Sequence, residues 1–471
     1  MGKYRRLGKN TLLVFIGNAG AKLISLLMLP FYTRWLSVED YGSTDIITVY
    51  VTFLTGFVSC NIAESIFIFP KGADRDRQEI YFSSASFFLF LMLGLTALIF
   101  GVASVVFKRC DIHNSFSDNL WLIYGMLAGM IVQQFAQQFT RSIDKIQVYS
   151  ITGIVLTGFT ALFAFMLIPK WGVDGYVWSM IGAYLLSALY SITFSRGYTY
   201  WSCHRFSINA CKEMLKYSIP LIPNGIMWWL VSALNRPLME AHLGMYAIGI
   251  FAVANKFPGI LSMLFTVFVT SWQISVLEEF GKKGYEVFFN RVFRSVVTGL
   301  LIVSLLITLC SKLLVSLFTS DDFFEAWQYI PLLVLGTVFS CVSSMAGSNF
   351  SATRTSKYFF YSSVWGAVAA VLFNFILIPS LAIWGVALSV MLSFVVMALS
   401  RIWYGWKYVQ ITNVWKYIWM LVLTGLYIVA ASLQVTPYWF NLIGFVSVVG
   451  IFAFINKDLL LLVQTKFKLR K

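Results

Sequence analysis

Two lysines stand where a lysine is costly. Lys22 lies about twelve residues into an apolar run that starts near residue 10, and Lys256 about ten residues into one that starts near 247. At about 1.5 Å per residue, helices through these runs carry both ammonium groups close to the middle of a hydrocarbon layer about 30 Å thick. A charge at that depth costs at least about 2.5 kcal/mol, so it faces a cavity, pairs with a neighbouring acid, or snorkels to the interface. An ammonium binds phosphate as a point charge without the fixed fork of arginine, and so tolerates an anion that moves. Each lysine has an amide beside it. Asn18 lies one turn before Lys22 on the same face, and Asn255 precedes Lys256.

Other polar residues interrupt the apolar runs. Gln134 and Gln138 share one helix face, Gln133 and Gln137 another, in a position to bond sugars or a neighbouring helix. Asn224 precedes Trp228 and Trp229 in a polar-aromatic stretch of the kind that binds sugars or marks an interface. Asn374 is a further amide within a span. Arg34 and Arg236 sit at outer helix ends, where either serves as an anchor or a gate; Glu240, four residues after Arg236, makes a helical pair the plainer reading. Arg354, with Lys357, lies at an inner end and is either a phosphate-capturing or a topology-setting charge. Glu64, with Asn61, is the best acid for a coupling ion; solvation at a helix end is its plain alternative. The six cysteines include no CxxC, and Cys203, His204 and Cys211 do not complete a zinc set, so no metal and no cofactor is expected beyond a coupling H+ or Na+.

The elements that position these residues follow from composition. Of 471 residues 59% are hydrophobic and 12% charged, against about 25% charged in soluble domains. Apolar runs recur along the whole length without the alternation of a membrane barrel, and lipid permits only helices or closed barrels. The sequence predicts an all-α integral membrane protein with about 14 transmembrane helices, near 10–33, 43–69, 83–107, 119–140, 149–168, 174–194, 217–238, 247–277, 291–318, 327–351, 359–379, 383–403, 415–433 and 439–456. The first run is read as a retained helix, not a cleaved leader. With the N-terminus inside, 27 of the 35 Lys and Arg fall on the cytoplasmic side, among them Arg196, Arg291, Arg294, Arg401 and Lys416. That bias places both termini in the cytoplasm and accounts for the net charge of +15 without nucleic acid.

The chain is also doubled. LFAFMLIP at 162–169 returns as LFNFILIP at 372–379, 210 residues later, followed by Gly175 and Gly385. At an offset of 207, Leu23, Ser25, Leu27, Pro30, Leu36 and Gly42 match Leu230, Ser232, Leu234, Pro237, Leu243 and Gly249. Matching Pro and Gly are harder to attribute to chance than matching Leu, because they mark helix breaks. Each repeat holds six helices, an even number, so the repeats run parallel. The expected organisation is a six-helix lobe over 1–194, a cytoplasmic linker over 195–216, a second lobe over 217–408, and a two-helix hairpin with a basic tail over 409–471. Three differences between the copies stand out: Lys22 against Trp229, Lys256 against Val49, and Asn374 against Ala164. The second copy has Leu381-Ala382 where the first has a loop glycine.

PFYTRWLSVEDYG at 30–42, the IP-containing loop at 168–175 and the twelve-plus-two layout resemble the polysaccharide-repeat flippases, the Wzx-type branch of the MOP (multidrug/oligosaccharidyl-lipid/polysaccharide) exporter superfamily. The resemblance implies two parallel lobes facing each other as a V, in the bacterial cytoplasmic membrane. It implies cation-coupled alternating-access export of undecaprenyl-diphosphate-linked oligosaccharide repeat units, with membrane lipid, polysaccharide polymerase and chain-length machinery as partners; the midplane charges of Lys22 and Lys256 suit the diphosphate of such a cargo. A peptidoglycan-precursor flippase and a drug/cation exporter of the same fold are rivals, although the latter should show midplane acids. A membrane polysaccharide polymerase is the rival from another class; it needs catalytic residues on a large outer loop, and no loop here is long.

Overall fold

The structure is a computed structural model that describes residues 24–353, 355, 357–432 and 438–457. Helices joined by short turns make up these residues, with no strand among them. In chain order the helices are α1 Leu29–Trp35, α2 Val38–Val58, α3 Ile62–Ile68, α4 Arg75–Arg109, α5 Ser115–Asp118, α6 Leu120–Ser142, α7 Ile146–Ser195, α8 Ile208–Ser218, α9 Ile222–Ser232 and α10 Asn235–Ala254. They continue as α11 Pro258–Glu279, α12 Tyr285–Phe318, α13 Ile330–Ala352, α14 Lys357–Gly405, α15 Val414–Ser432 and α16 Tyr438–Ile455.

Local chemistry sets the breaks. Leu36 is extended, and Ser37 caps α2 with a capping box closed by Asp40, so α1 stops and α2 starts within two residues. The expected span 43–69 is not one rod. Cys60 and Asn61 both have positive φ, 47° and 52°, and α2 and α3 meet at a bend of 58°. Asparagine tolerates this left-handed region, whereas the hydropathy of the run carries no mark of it. The expected boundary between the seventh and eighth spans, 239–246, holds its break, but the eighth span is not continuous. Gly244, at φ 79°, is the non-helical residue within α10, and the expected 247–277 is interrupted again between Ala254 and Pro258.

α7 and α14 have 50 and 49 residues, too long for one crossing. Each contains one non-helical residue, Gly172 at φ 53°, ψ −123° and Ala382 at φ 48°, ψ −129°. Each folds back there. A Cβ on Gly182 would lie 3.0 Å from the Phe163 ring, and Trp365 Nε1 donates to the Tyr404 hydroxyl at 3.2 Å. Two spans therefore lie in each helix, as the sequence predicts, but one residue replaces the expected loop. Although Ala382 is not a glycine, it adopts the conformation of Gly172.

The described chain forms two compact units, one of Met1–Trp229 with Gly244–Gly249 and one of Leu230–Leu243 with Ile250–Lys471. The first has a core that includes Ile47, Phe82, Ile123, Phe135 and Phe139. The linker after α7 folds onto this unit. Ser202 and Ser207 N–H donate to Ser83 Oγ and Ser84 Oγ on α4, and the amphipathic α8 buries Ala210, Cys211, Met214 and Ser218. Within the same unit Gly42 and Gly249 form a reciprocal contact. A Cβ on Gly42 would lie 2.3 Å from Met245 O, and one on Gly249 would lie 2.0 Å from Val38 O. Both pairs are related by the 207-residue offset, so the duplicated glycines serve one close helix crossing.

In the second unit, Trp272, Phe289, Phe293, Leu301 and Phe350 are buried. Arg401, counted among the cytoplasmic charges, is 3% exposed there and so is packed inside the unit rather than open to water. Its Nε donates to Ser362 Oγ (3.0 Å), Nη2 to Ser363 Oγ (3.4 Å) and Nη1 to Ser343 O (3.3 Å). Small residues make the room. Gly347 faces the Phe359 ring and the Arg401 guanidinium, and a Cβ there would sit 2.6 Å from Phe359.

Candidate functional site

Lys256 and Asn255 lie in a helix break. α10 ends at Ala254 and α11 begins at Pro258, whose missing N–H leaves the Ala254 carbonyl without its helical donor. The turn between them is tight. Lys256 N–H donates to Val253 O (3.0 Å) and Gly259 N–H to Lys256 O (3.1 Å), both three residues apart rather than four. Residues 251–254, Phe257 and Pro258 are buried, while Asn255 is exposed and Lys256 half-buried. A cation and an amide are thus turned out of a packed apolar wall at a point where backbone polar groups are also loosened. Interrupted membrane helices present ligand-binding groups in this way. The hydropathy of the run shows the lysine but not the break; Pro258 is the signal that could have located it.

The other residues of interest divide by unit. In the first, Gln133 Nε2 donates to Gln137 Oε1 (2.9 Å), and Gln137 Nε2 donates to Tyr149 O (3.1 Å) on α7. That face joins α6 to α7. Gln134 and Gln138 are half-buried on the neighbouring face, and Gln138 Oε1 is buried with no partner among the described residues. Asn224 is exposed on α9. Trp229, the counterpart of Lys22, packs on Phe53 with ring centroids 4.4 Å apart and donates to Val49 O at 3.4 Å. Arg34 is exposed in the last turn of α1, where its charge suits the helix C-terminus. Glu64 is exposed in the first turn of α3, at the positive end of that short helix created by the unexpected break.

In the second unit, Arg236 is 5% exposed. Its Nη1 donates to Ser232 O (2.7 Å) and Asn235 Oδ1 (2.8 Å), and its guanidinium lies 4.8 Å from the centroid of Phe251. It is a packed group rather than an open outer-end charge. Asn374 is also buried, and its Oδ1 has no hydrogen-bond partner among the described residues. Lys22, Asn18 and Arg354 lie outside the described residues. Among the described residues, no three His, Cys, Asp or Glu side chains come together as a metal set.

The model of the polysaccharide biosynthesis protein family matches residues 7–273, and the MatE model matches 221–376. No curated protein sequence matches the chain. Among solved structures the chain is similar to the lipid II flippase MurJ in an inward closed conformation, with a TM-score of 0.73 and 14% identity over 95% of this chain and 100% of that one. It is also similar to a multidrug resistance MATE family transporter of the MOP superfamily in an inward-facing conformation, with a TM-score of 0.63 and 13% identity over 82% of this chain and 94% of that one. A third similar structure is a MOP superfamily transporter from Pyrococcus furiosus described as having a binding pocket of reverse polarity, with a TM-score of 0.58 and 14% identity over 84% of this chain and 93% of that one. At these identities the likeness is one of fold, that of an all-helical multi-pass membrane protein.

Proposed function

The chain belongs to the polysaccharide biosynthesis protein family, within the MOP superfamily of flippases and transporters, and from that premise we propose that it is a flippase for oligosaccharide repeat units carried on undecaprenyl diphosphate. It takes them from the cytoplasmic leaflet of a bacterial inner membrane to the outer leaflet by alternating access, for polysaccharide assembly. The observation that carries this reading is the break at Asn255–Lys256, which exposes a cation and an amide within an apolar wall. An ammonium at mid-depth selects an anion, whereas a cationic drug calls for an acid. Lys22 supplies the second cation in this proposal. The positive-inside bias supports an orientation with both termini in the cytoplasm. Glu64 is the proposed acid for a coupling proton or sodium ion.

The extent of the structural match supports a lipid-linked substrate over a drug. Coverage of 95% leaves only about 24 residues unmatched, fewer than the 63 that follow residue 408. The likeness to the lipid II flippase therefore reaches into the terminal helix pair, while the multidrug transporter covers 82% of the chain. The same observation favours a second reading, in which the cargo is a lipid-linked peptidoglycan precursor. Leaflet translocation in proteoliposomes tests both, with a lipid-diphosphate oligosaccharide and lipid II as separate substrates. We expect transport of the oligosaccharide, at least a ten-fold loss in Lys256→Ala and in Lys22→Ala without a change in melting temperature, and partial retention in Lys256→Arg. Wild-type rates in the double alanine variant overturn the site, and transport of lipid II alone selects the second reading.

A further inference from the structure

A second polar site lies in the second unit, where the chain passes from α14 to α15. The strap over 406–413 is tied to the first turns of α12 by three hydrogen bonds. Gln410 N–H donates to Glu286 Oε1 (3.1 Å), Asn290 Nδ2 donates to Gln410 O (2.8 Å), and Thr412 N–H donates to Asn290 Oδ1 (2.8 Å). Asn290 thus uses both ends of its amide on the strap, and its Nδ2 also donates to Glu286 O (3.0 Å). These bonds hold open a bowl of about 410 Å³. Arg291 and Arg294, three residues apart and so on neighbouring positions of one helix face, line it together with Glu286, Asn413 and Tyr417.

The charge of the bowl favours an anion. Two guanidinium groups face one carboxylate, and that carboxylate accepts a strap N–H. Arginine offers paired donors that match phosphate oxygens. Asn413 and Thr412 line the bowl and immediately precede α15, so the positive end of a 19-residue helix adds to the field. The depth is also informative. Trp415 and Trp419, on the first turns of α15, are 73% and 59% exposed, as tryptophans at the headgroup level of a membrane are. The bowl therefore opens where lipid phosphates lie, and basic pockets between membrane helices bind such headgroups.

We propose that this bowl binds the phosphate of an anionic lipid headgroup in the leaflet it faces, and that the bound lipid fastens the terminal helix pair to α12. Two lipids present this chemistry there: a resident anionic phospholipid and a polyprenyl diphosphate. The site does not involve Lys256, so it stands or falls independently of the flippase reading.

The test uses full-length protein purified in a zwitterionic detergent. Phosphatidylglycerol, phosphatidylcholine and farnesyl diphosphate are added separately, and retained ligand is read by native mass spectrometry. We expect wild type to retain phosphatidylglycerol at least five-fold better than Arg291→Gln/Arg294→Gln, with phosphatidylcholine retained equally by both. A preference for farnesyl diphosphate, lost in the same variant, assigns the phosphate to a polyprenyl carrier. Equal retention of every probe by wild type and variant overturns the proposal. If the double variant melts lower without lipid, Arg291→Gln decides. Its side chain is exposed, so it leaves the melting temperature unchanged, and it should lose at least half of the retained ligand.

Discussion

The hairpins α7 and α14 occupy equivalent places in the two repeats, and their turns were built by one plan and filled by different residues. Gly172 and Ala382, 210 residues apart, take nearly the same φ and ψ, the conformation of the first central residue of a type II′ turn. Three residues later both copies have a glycine that cannot be replaced in place. A Cβ on Gly175 would lie 2.3 Å from Leu167 O, and one on Gly385 would lie 2.0 Å from Leu377 O. Leu167 and Leu377 are again 210 residues apart. Backbone geometry was conserved between the halves where backbone meets backbone, and side chains diverged where a strained but open conformation left room.

The largest effect should come from Gly175→Ala and Gly385→Ala. Each Cβ meets a backbone carbonyl that cannot rotate away, so the two arms of the hairpin must separate. We expect each to destabilise by about 3 kcal/mol or more, read as a fall in melting temperature and in yield of monodisperse protein. Gly172→Ala sharpens the comparison. Nothing lies within 4 Å of its Cβ position, so its cost is the positive φ alone, about 1–3 kcal/mol. Equal effects at Gly172 and Gly175 would break the distinction between a close approach and a strained angle.

The next comparison is at the ends of the same hairpins remote from their turns. Ser191 on α7 is fully buried; its hydroxyl lies 2.7 Å from Thr140 Oγ1 and donates to Ala136 O at 3.1 Å. Its counterpart at the 210-residue offset is Arg401, which donates to Ser343 O; Ala136 and Ser343 are themselves related by 207 residues. A hydroxyl and a guanidinium thus staple the same pair of helices in the two units. Arg401→Ser, which copies the first repeat, leaves a cavity beside Gly347 and deprives Ser362 and Ser363 of a donor. We expect a loss of about 2–4 kcal/mol, measured by thermal denaturation in detergent. An unchanged melting temperature would mean that the second unit can close on a serine as the first does.

These comparisons show which features were legible in the chain. The duplication was readable because Pro and Gly recur where helices turn, and the helical fold because hydropathy alone demands it. The bend at Cys60–Asn61 and the break before Pro258 were not, since both fall inside continuous apolar runs where hydropathy averages over a change in backbone angle. Arg401 looked like one more inner-end cation because a sequence shows the charge but not the glycine and serines that enclose it. Arg236, read as an outer-end gate or half of a helical pair, and Asn374, read as a cavity amide, are both buried, which a sequence does not show. Lys256 was legible as an anomaly, and the structure adds the local reason for its exposure. The fold of the linker onto α4 was hidden because it depends on Ser83 and Ser84, more than a hundred residues away in the chain.

The smallest expected effect is a gain. Ala382 holds φ 48° at an exposed position, and a residue with a Cβ in that region stores about 1–3 kcal/mol of strain. Ala382→Gly releases it and gives back part, because glycine loses about 0.5–1 kcal/mol more conformational freedom on folding than alanine. The net should be a stabilisation of about 1 kcal/mol, seen as a rise of a few degrees in melting temperature. The first repeat already carries the glycine, so the variant makes the two turns alike. If transport is unchanged in the stabilised variant, the strain at Ala382 is a remnant of divergence after duplication. If transport falls while stability rises, the strained turn contributes to the movement of the second unit.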